Sequence, residues 1–366
     1  MTQPPQPSAP VPGDGGPRSP IKTLSELEIG LEADCFVLLA EKEKLRTKDG
    51  KPYYKTVFRD NWREIQTPIW SDAPFFDECD KDWQTGKFYK IRAVLRESGF
   101  GYGPKFEFRR VRETIEADKR DGFDPNFCRP SSDVEPEALA NEILAFAKSQ
   151  IGKGPLLTLL QRVFKENRDV LFETAASRAH HRPYPGGLLE HALSVAKIAV
   201  SLTDHFRAVR PDLKKTLSKP LIVAGAILHD VGKIIEMEQH VAAPRRTVEG
   251  ELLGHAILSR DVVKRYADAV ALDDETRIRL EHLVLTHARF PDWGAPTPPA
   301  SLEGMILHYA DYADATFFSS LAILDADDGS GAFTVRRGPF GTPLLKPTSD
   351  SPSPPKDGKR RTNRDD

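Results

Sequence analysis

Cysteine is scarce: Cys35, Cys79 and Cys128 are the only three in 366 residues, odd in number and far apart. That argues against a disulfide framework and fits a reducing compartment. No CxxC pair occurs, so a thiolate zinc site is not expected. No apolar run approaches the roughly 18 residues of a membrane span. The chain opens without the basic segment and apolar stretch of a secretory signal. These absences together point to a soluble, cytoplasmic protein with no membrane partner. An excess of one charge is lacking too, since 52 basic residues face 54 acidic ones for a net −2. No global basic field announces a nucleic-acid partner, so any such site must be local. No internal repeat is seen.

What is present divides along the chain. Residues 1–20 hold seven prolines and read as a disordered tail. Residues 346–366, with "SPSPPKDGKRR", read the same way. Residues 21–118 read as short strands with turns between them, as in "DGKPYYKTVFRDNWREIQTPIW", "KFYKIRAVLRE" and "KFEFRRV". That pattern suggests a small β-barrel or sandwich. Tyr53, Lys55, Val57 and Arg59 share one strand face, and Tyr54, Thr56 and Phe58 the other. Residues 119–134 read as a polar linker. From 135 to 345 the apolar period becomes helical, giving about seven helices. The fold class expected is therefore multidomain, β first and all-α second.

Within the helical part, "AGAILHDVGKI" places His229 and Asp230 at the end of a segment apolar nearly all round, with Lys233 following. Pro220 should start this helix and Gly232 end it. A carboxylate there is costly unless paired or bound to metal. Alone, the dipeptide would be read as a hydrogen-bonded helix end. Histidines or carboxylates recur, however, against apolar segments on five helices: His191, His229–Asp230, His255, His287 and Asp311. Imidazole and carboxylate ligands together suit a divalent ion such as zinc, manganese, iron or cobalt.

The order His191, His229–Asp230, Asp311 resembles the HD superfamily of metal-dependent phosphohydrolases. His255 and His287 resemble the additions of its two-metal members. The resemblance implies that Asp230 bridges two ions. His191, His229 and Asp311 then complete one site, and His255 and His287 the other. The stretches "HHRPYPGGLLEH", "TVEGELLGH", "LEHLVLTHA" and "LHYADYADA" are similar to those of the bacterial YhaM-type 3′→5′ exoribonucleases. "KDGKPYYKTVFRDNWREIQTPIW" is similar to the OB-fold that precedes the HD domain in that family. Two departures, Ala288 in place of a second histidine and the proline-rich "FPDWGAPTPPAS", bear on the second metal's geometry.

The resemblance implies an N-terminal OB-fold β-barrel that binds single-stranded RNA and an all-α HD domain that hydrolyses it to nucleoside 5′-monophosphates. Single-stranded DNA is a second candidate substrate, and a homo-oligomer is compatible with the chain. The alternatives are an HD phosphohydrolase of free nucleotides and a non-catalytic RNA-binding protein. Two metals close together suit phosphodiester cleavage, since they activate water and clamp phosphoryl oxygens. Lys233 can donate to a phosphate oxygen, or merely offset a helix C-terminal dipole. His180 and His181 are candidate substrate contacts or a solvated loop pair, and Arg245 and Arg246 are candidate phosphate contacts. For the barrel, Tyr53, Lys55 and Arg59, with Phe100, Tyr102 and Lys105, fit a stacking and cationic surface. Tyr54, Phe58, Phe106 and Phe108 are assigned to its core.

Overall fold

The structure, a computed structural model, describes residues 19–61, 63–97, 104–128, 132, 134–178, 181–241, 244–327 and 331–347. Phe100, Tyr102, His180 and nearly all of both expected tails lie outside the described residues. The chain divides into two compact units, separated at residues 129 and 130. No described helix is long and apolar enough to cross a membrane.

The first unit is a five-stranded antiparallel sheet of β1 (Glu32–Arg46), β2 (Pro52–Arg59), β3 (Glu64–Trp70), β4 (Phe88–Arg96) and β5 (Lys105–Glu113). The strand order is β3-β2-β1-β4-β5, and helix α1 (Phe76–Lys81) lies between β3 and β4 in the chain. β1, 15 residues long, pairs with both neighbours, and its register with β2 shifts between Leu39 and Glu41. Such a bulge bends the strand and increases local twist, which curls the sheet. The two edge strands approach one another, and Phe106 N–H donates to Thr67 Oγ1 at 3.0 Å. This is the partly open, five-stranded OB arrangement. No backbone ladder joins β3 to β5 among the described residues.

Tyr54, Phe58 and Phe106 are buried in the barrel core with Trp83, and Phe108 packs against them partly buried. Phe58 meets Trp83, Phe106 and Phe108 edge-on, the geometry aromatic quadrupoles favour. Packing against the sheet continues past the expected domain end. Phe123 packs its ring on Phe36 and Phe88, Cys128 is buried, and Asp118 takes two hydrogen bonds from Arg112 at 2.6 and 2.7 Å. Residues 119–128 therefore cover the sheet and do not form a free linker.

The second unit is helical apart from two short ribbons. Its helices are α2 (Pro136–Ile151), α3 (Pro155–Glu166), α4 (Arg168–Glu173), α5 (Gly187–Val209), α6 (Leu213–Thr216), α7 (Lys219–Leu228), α8 (Lys233–Glu236), α9 (Val248–Ala269), α10 (Asp274–Thr286) and α11 (Leu302–Asp325). The ribbons pair β6 (Met237–Glu238) with β7 (Arg245–Arg246), and β8 (Phe333–Arg337) with β9 (Pro343–Leu345). Every residue of α7 from Leu221 to Leu228 is buried. A helix apolar on all sides can only be central, and α7 packs against α2, α3, α5, α10 and α11. Ser218 caps its N-terminus by accepting from Leu221 N–H.

α7 ends at Leu228, not at Gly232, so His229 and Asp230 occupy the turn beyond it. Gly232 has a different task. A Cβ there would lie 2.3 Å from Ser259 N and 2.4 Å from His255 O. The turn thus rests directly on the α9 backbone, with Gly232 N–H donating to Ser259 Oγ at 2.8 Å. Gly254, at φ 72° and ψ 157°, breaks α9 just before His255. That left-handed φ suits glycine above other residues. Between them the two glycines bring Asp230 and His255 side by side.

Candidate metal centre

The six residues proposed as ligands converge on one place. His191 comes from α5, His229 and Asp230 from the turn after α7, and His255 from the kink in α9. His287 caps α10, and Asp311 lies on α11. They form two triads, His191–His229–Asp311 and Asp230–His255–His287. Within each triad the potential ligand atoms lie within 4.8 Å of one another.

The imidazoles share one plan. His229 Nδ1 is 2.8 Å from the Ala226 carbonyl, and His287 Nδ1 is 2.7 Å from that of Val284. His191 Nδ1 is 2.7 Å from Asp314 Oδ2, and His255 Nδ1 is 3.4 Å from Glu236 Oε1. The hydrogen-bonded Nδ1 of His191, His229 and His287 turns each Nε2 inward, the arrangement that fixes tautomer and orientation in histidine metal ligands. His191 Nε2 lies 3.1 Å from Asp311 Oδ1, and His229 Nε2 lies 3.4 Å from Asp230 Oδ2. His255 and His287 reach the other oxygen, Asp230 Oδ1, at 3.4 and 3.5 Å. The two Asp230 oxygens thus face different triads.

Asp230 Oδ1 is buried and has no hydrogen-bond partner. A buried carboxylate oxygen left so is costly. Its surroundings are imidazole nitrogens, and this donor set fits a divalent cation. The electrostatics agree. Burial opposes the charge on Asp230, yet the Lys233 ammonium and His229 hold its carboxyl well below the usual carboxylate range. Burial of Asp311 is likewise outweighed by hydrogen bonds with His191 and His229. Burial also works against a charged His229, but Asp230 and Asp311 raise it to about 10. The carboxylates thus draw positive charge into their midst. His287 shifts the other way, because burial lowers it.

Lys233 is buried at the start of α8 and not at a helix C-terminus, which removes the dipole role considered for it. Its Nζ donates to Asp230 Oδ2 and to the Ala176 carbonyl, each at 2.5 Å. His181 is not part of a solvated loop. Its ring lies 4.9 Å from that of His191, its Nε2 is buried without a partner, and burial pushes its pKa down to about 3. Arg246 is held near Glu236 and Glu251, and Arg245 is exposed on β7; neither lines the cavity over the ligands. His282 accepts from Ala300 N–H, away from the ligands.

That cavity holds about 460 Å³, and its lining includes five of the six ligands (not His229), together with His181 and Lys233. Ala288 lines it as well, so the departure from a second histidine leaves His287 facing Asp230.

Two carboxylates escape a reading of the sequence. Asp314 bonds His191, Ser194 and Arg182, the last at 2.5 Å to Nη1. Burial opposes its charge, but His191 and Arg182 bring its pKa down to about 2. Glu236 faces His255 Nδ1 at 3.4 Å, and its charge is favoured by His255 despite burial. Asp314 sits one turn beyond Asp311 on the same helix, which is the signal that could have found it. Asp314→Asn is expected to weaken divalent-metal binding by about 10- to 100-fold while the protein stays folded. Titration of the metal-free protein with Mn²⁺, followed calorimetrically, measures this.

The barrel surface is partly redrawn. Tyr53 and Trp70 are cross-strand partners with ring centroids 4.8 Å apart, and Trp70 is 43% exposed. Lys55 is half-buried and pairs with Glu41 at 3.2 Å, and Lys105 is half-buried at the start of β5. Arg59 is not a surface cation. It is 8% exposed and pairs with Glu64, and burial lowers its pKa. The simple alternation along β2 fails there because all four residues from Thr56 to Arg59 are buried in the curled sheet.

Comparison with known proteins places this geometry. The HD domain family matches residues 188–316. The 3′-5′ exoribonuclease YhaM of Listeria welshimeri is 28% identical over 297 residues, covering 81% of this chain and 88% of that protein. YhaM of Listeria innocua is 27% identical over the same shares. Among solved structures, a domain of replication protein A from Methanococcus maripaludis covers 26% of this chain and 98% of its own, at 11% identity and a TM-score of 0.21. A match of 297 residues is longer than the helical unit, so the likeness runs on into the barrel. The chain thus carries an HD-domain match at residues 188–316 and is similar to the YhaM exoribonucleases over a length that takes in parts of both units.

Proposed function

We propose that the protein is a divalent-metal-dependent 3′→5′ exonuclease that hydrolyses single-stranded RNA to nucleoside 5′-monophosphates. One observation carries this reading: a single buried carboxylate, Asp230, faces a His/Asp triad with one oxygen and a pair of histidines with the other. His191, His229, Asp311 and Asp230 would hold one ion, and Asp230, His255 and His287 a second, with manganese the first candidate. When bound, such ions supply Lewis acidity toward phosphoryl oxygens and a strong nucleophile at neutral pH.

The chain's own groups do the rest. Asp314 holds the His191 ring so that its Nε2 points inward, and the Glu236 carboxylate faces His255 Nδ1 at 3.4 Å. Lys233 spends two N–H groups on Asp230 and Ala176. An ammonium has three, so one remains for a phosphoryl oxygen in the cavity that Lys233 lines. The His181 ring, kept neutral by burial, has an unbonded Nε2 that can meet the substrate. On the barrel, the Tyr53–Trp70 pair with Lys55 and Lys105 would receive the upstream strand by stacking and charge. Arg245 and Arg246, at the ribbon beside α9, remain candidates for phosphate contact outside the cavity.

End-labelled strands test direction and product. With Mn²⁺ and a 3′-labelled single strand, label should appear at once as mononucleotide. A 5′ label should persist on steadily shortening products. Internal fragments arising first would mean an endonuclease. Hydrolysis of free nucleotides with strands left intact would favour the nucleotide phosphohydrolase.

A further inference from the structure

The cavity over the metal ligands has an aromatic side that nothing in the hydrolytic chemistry requires. Trp293 belongs to the short turn Pro291–Trp293 after α10, inside the proline-rich loop, and Tyr312 follows Asp311 directly on α11. Their rings are stacked, 5.7 Å apart with planes 11° from parallel. His308 stacks on Tyr312 as well, at 6.0 Å and 22°. Phe290 meets Trp293 edge-on at 4.9 Å, and Phe340 meets Tyr312 edge-on at 6.4 Å. Trp293, Tyr312, Thr316 and Ser319 line the same cavity as the metal ligands. Although packed on one side by Tyr312, Trp293 remains 48% exposed.

An indole with one face stacked and half its surface in water is costly to expose and suits another flat ring. We infer that Trp293, backed by Tyr312, seats the base of the strand's 3′-terminal nucleotide while its phosphodiester lies at the ligands. The inference rests on the nuclease reading and says how that site holds its substrate. The chemistry fits an enzyme that must accept every base in turn. Stacking uses the π-face that all bases share, so it binds without reading sequence. The Thr316 and Ser319 hydroxyls stand in the same cavity for the polar edges of base or sugar.

The test uses the intact protein with Mn²⁺ and short RNA strands that end in an ordinary nucleotide or in an abasic ribose. Wild-type protein should cut the abasic end with a KM about 5- to 100-fold higher, the size of one lost stacking contact. Trp293→Ala should raise KM for the ordinary end by a similar factor, changing kcat far less, and Trp293→Phe should restore most of it. On the abasic strand, Trp293→Ala should add little. Equal KM for both ends in the wild type would overturn the inference, as would a loss confined to kcat that phenylalanine does not rescue. Should Trp293→Ala fail to fold, the wild-type comparison and the phenylalanine variant decide. Cleavage of both ends alike would sink this inference alone, whereas failure to cut any strand would sink the nuclease reading and the inference with it.

Discussion

Replacing Asp230 with alanine is expected to lower turnover of single-stranded RNA by about a thousandfold or more, the scale of losing a charge-stabilising group at a reacting centre. Bound metal should fall along with it. The reason is geometric: among the described residues Asp230 is the one carboxylate that faces both ligand sets, with Oδ2 toward His229 and Oδ1 toward His255 and His287. Its loss would also leave the buried Lys233 ammonium without its anionic partner. An unpaired buried charge is destabilising by several kcal/mol when one partner is removed, so thermal unfolding should be followed beside activity. The substitution lies beyond the end of α7, whose own apolar packing is untouched. A variant that keeps full metal and wild-type turnover would show that Asp230 is not a ligand.

The second large effect concerns the barrel. The two hydrophobic cores share no residue, and the first compact unit runs to residue 129. Removing residues 1–129 should therefore leave a folded, metal-binding helical unit. That unit should still cut short oligonucleotides. On long strands its KM should rise by about 10- to several-hundred-fold, since each stacked base contributes roughly 1–3 kcal/mol and the Tyr53–Trp70 pair is lost. Its dependence on salt should flatten as Lys55 and Lys105 go. Equal degradation of long RNA by the truncated and intact proteins would remove the barrel from strand binding.

Much of this was legible from residues alone, for identifiable reasons. The long helices announce themselves because apolar residues recur at helical spacing, and all six candidate ligands lie on or beside such stripes. Tyr54, Phe58 and Phe106 read as core because strand alternation puts them inward, and they are buried. What failed depends on the third dimension. Asp314 and Glu236 matter through the imidazole that another element brings opposite them. Arg59 looks like a surface cation until the curled sheet buries it against Glu64. Residues 119–128 are polar and proline-containing, yet Phe123 and Cys128 are enough to fasten them to the sheet. Trp70 and Trp293 stand out only once their ring partners, Tyr53 and Tyr312, are in place.

The central claim is that Asp230 joins two metal positions. Crystals of the intact protein grown with Mn²⁺ and measured for anomalous scattering test it most directly. The account predicts two manganese peaks, one among His191, His229, Asp311 and Asp230, the other among Asp230, His255 and His287. Absence of a peak at these residues, or manganese bound only elsewhere on the protein, would contradict it.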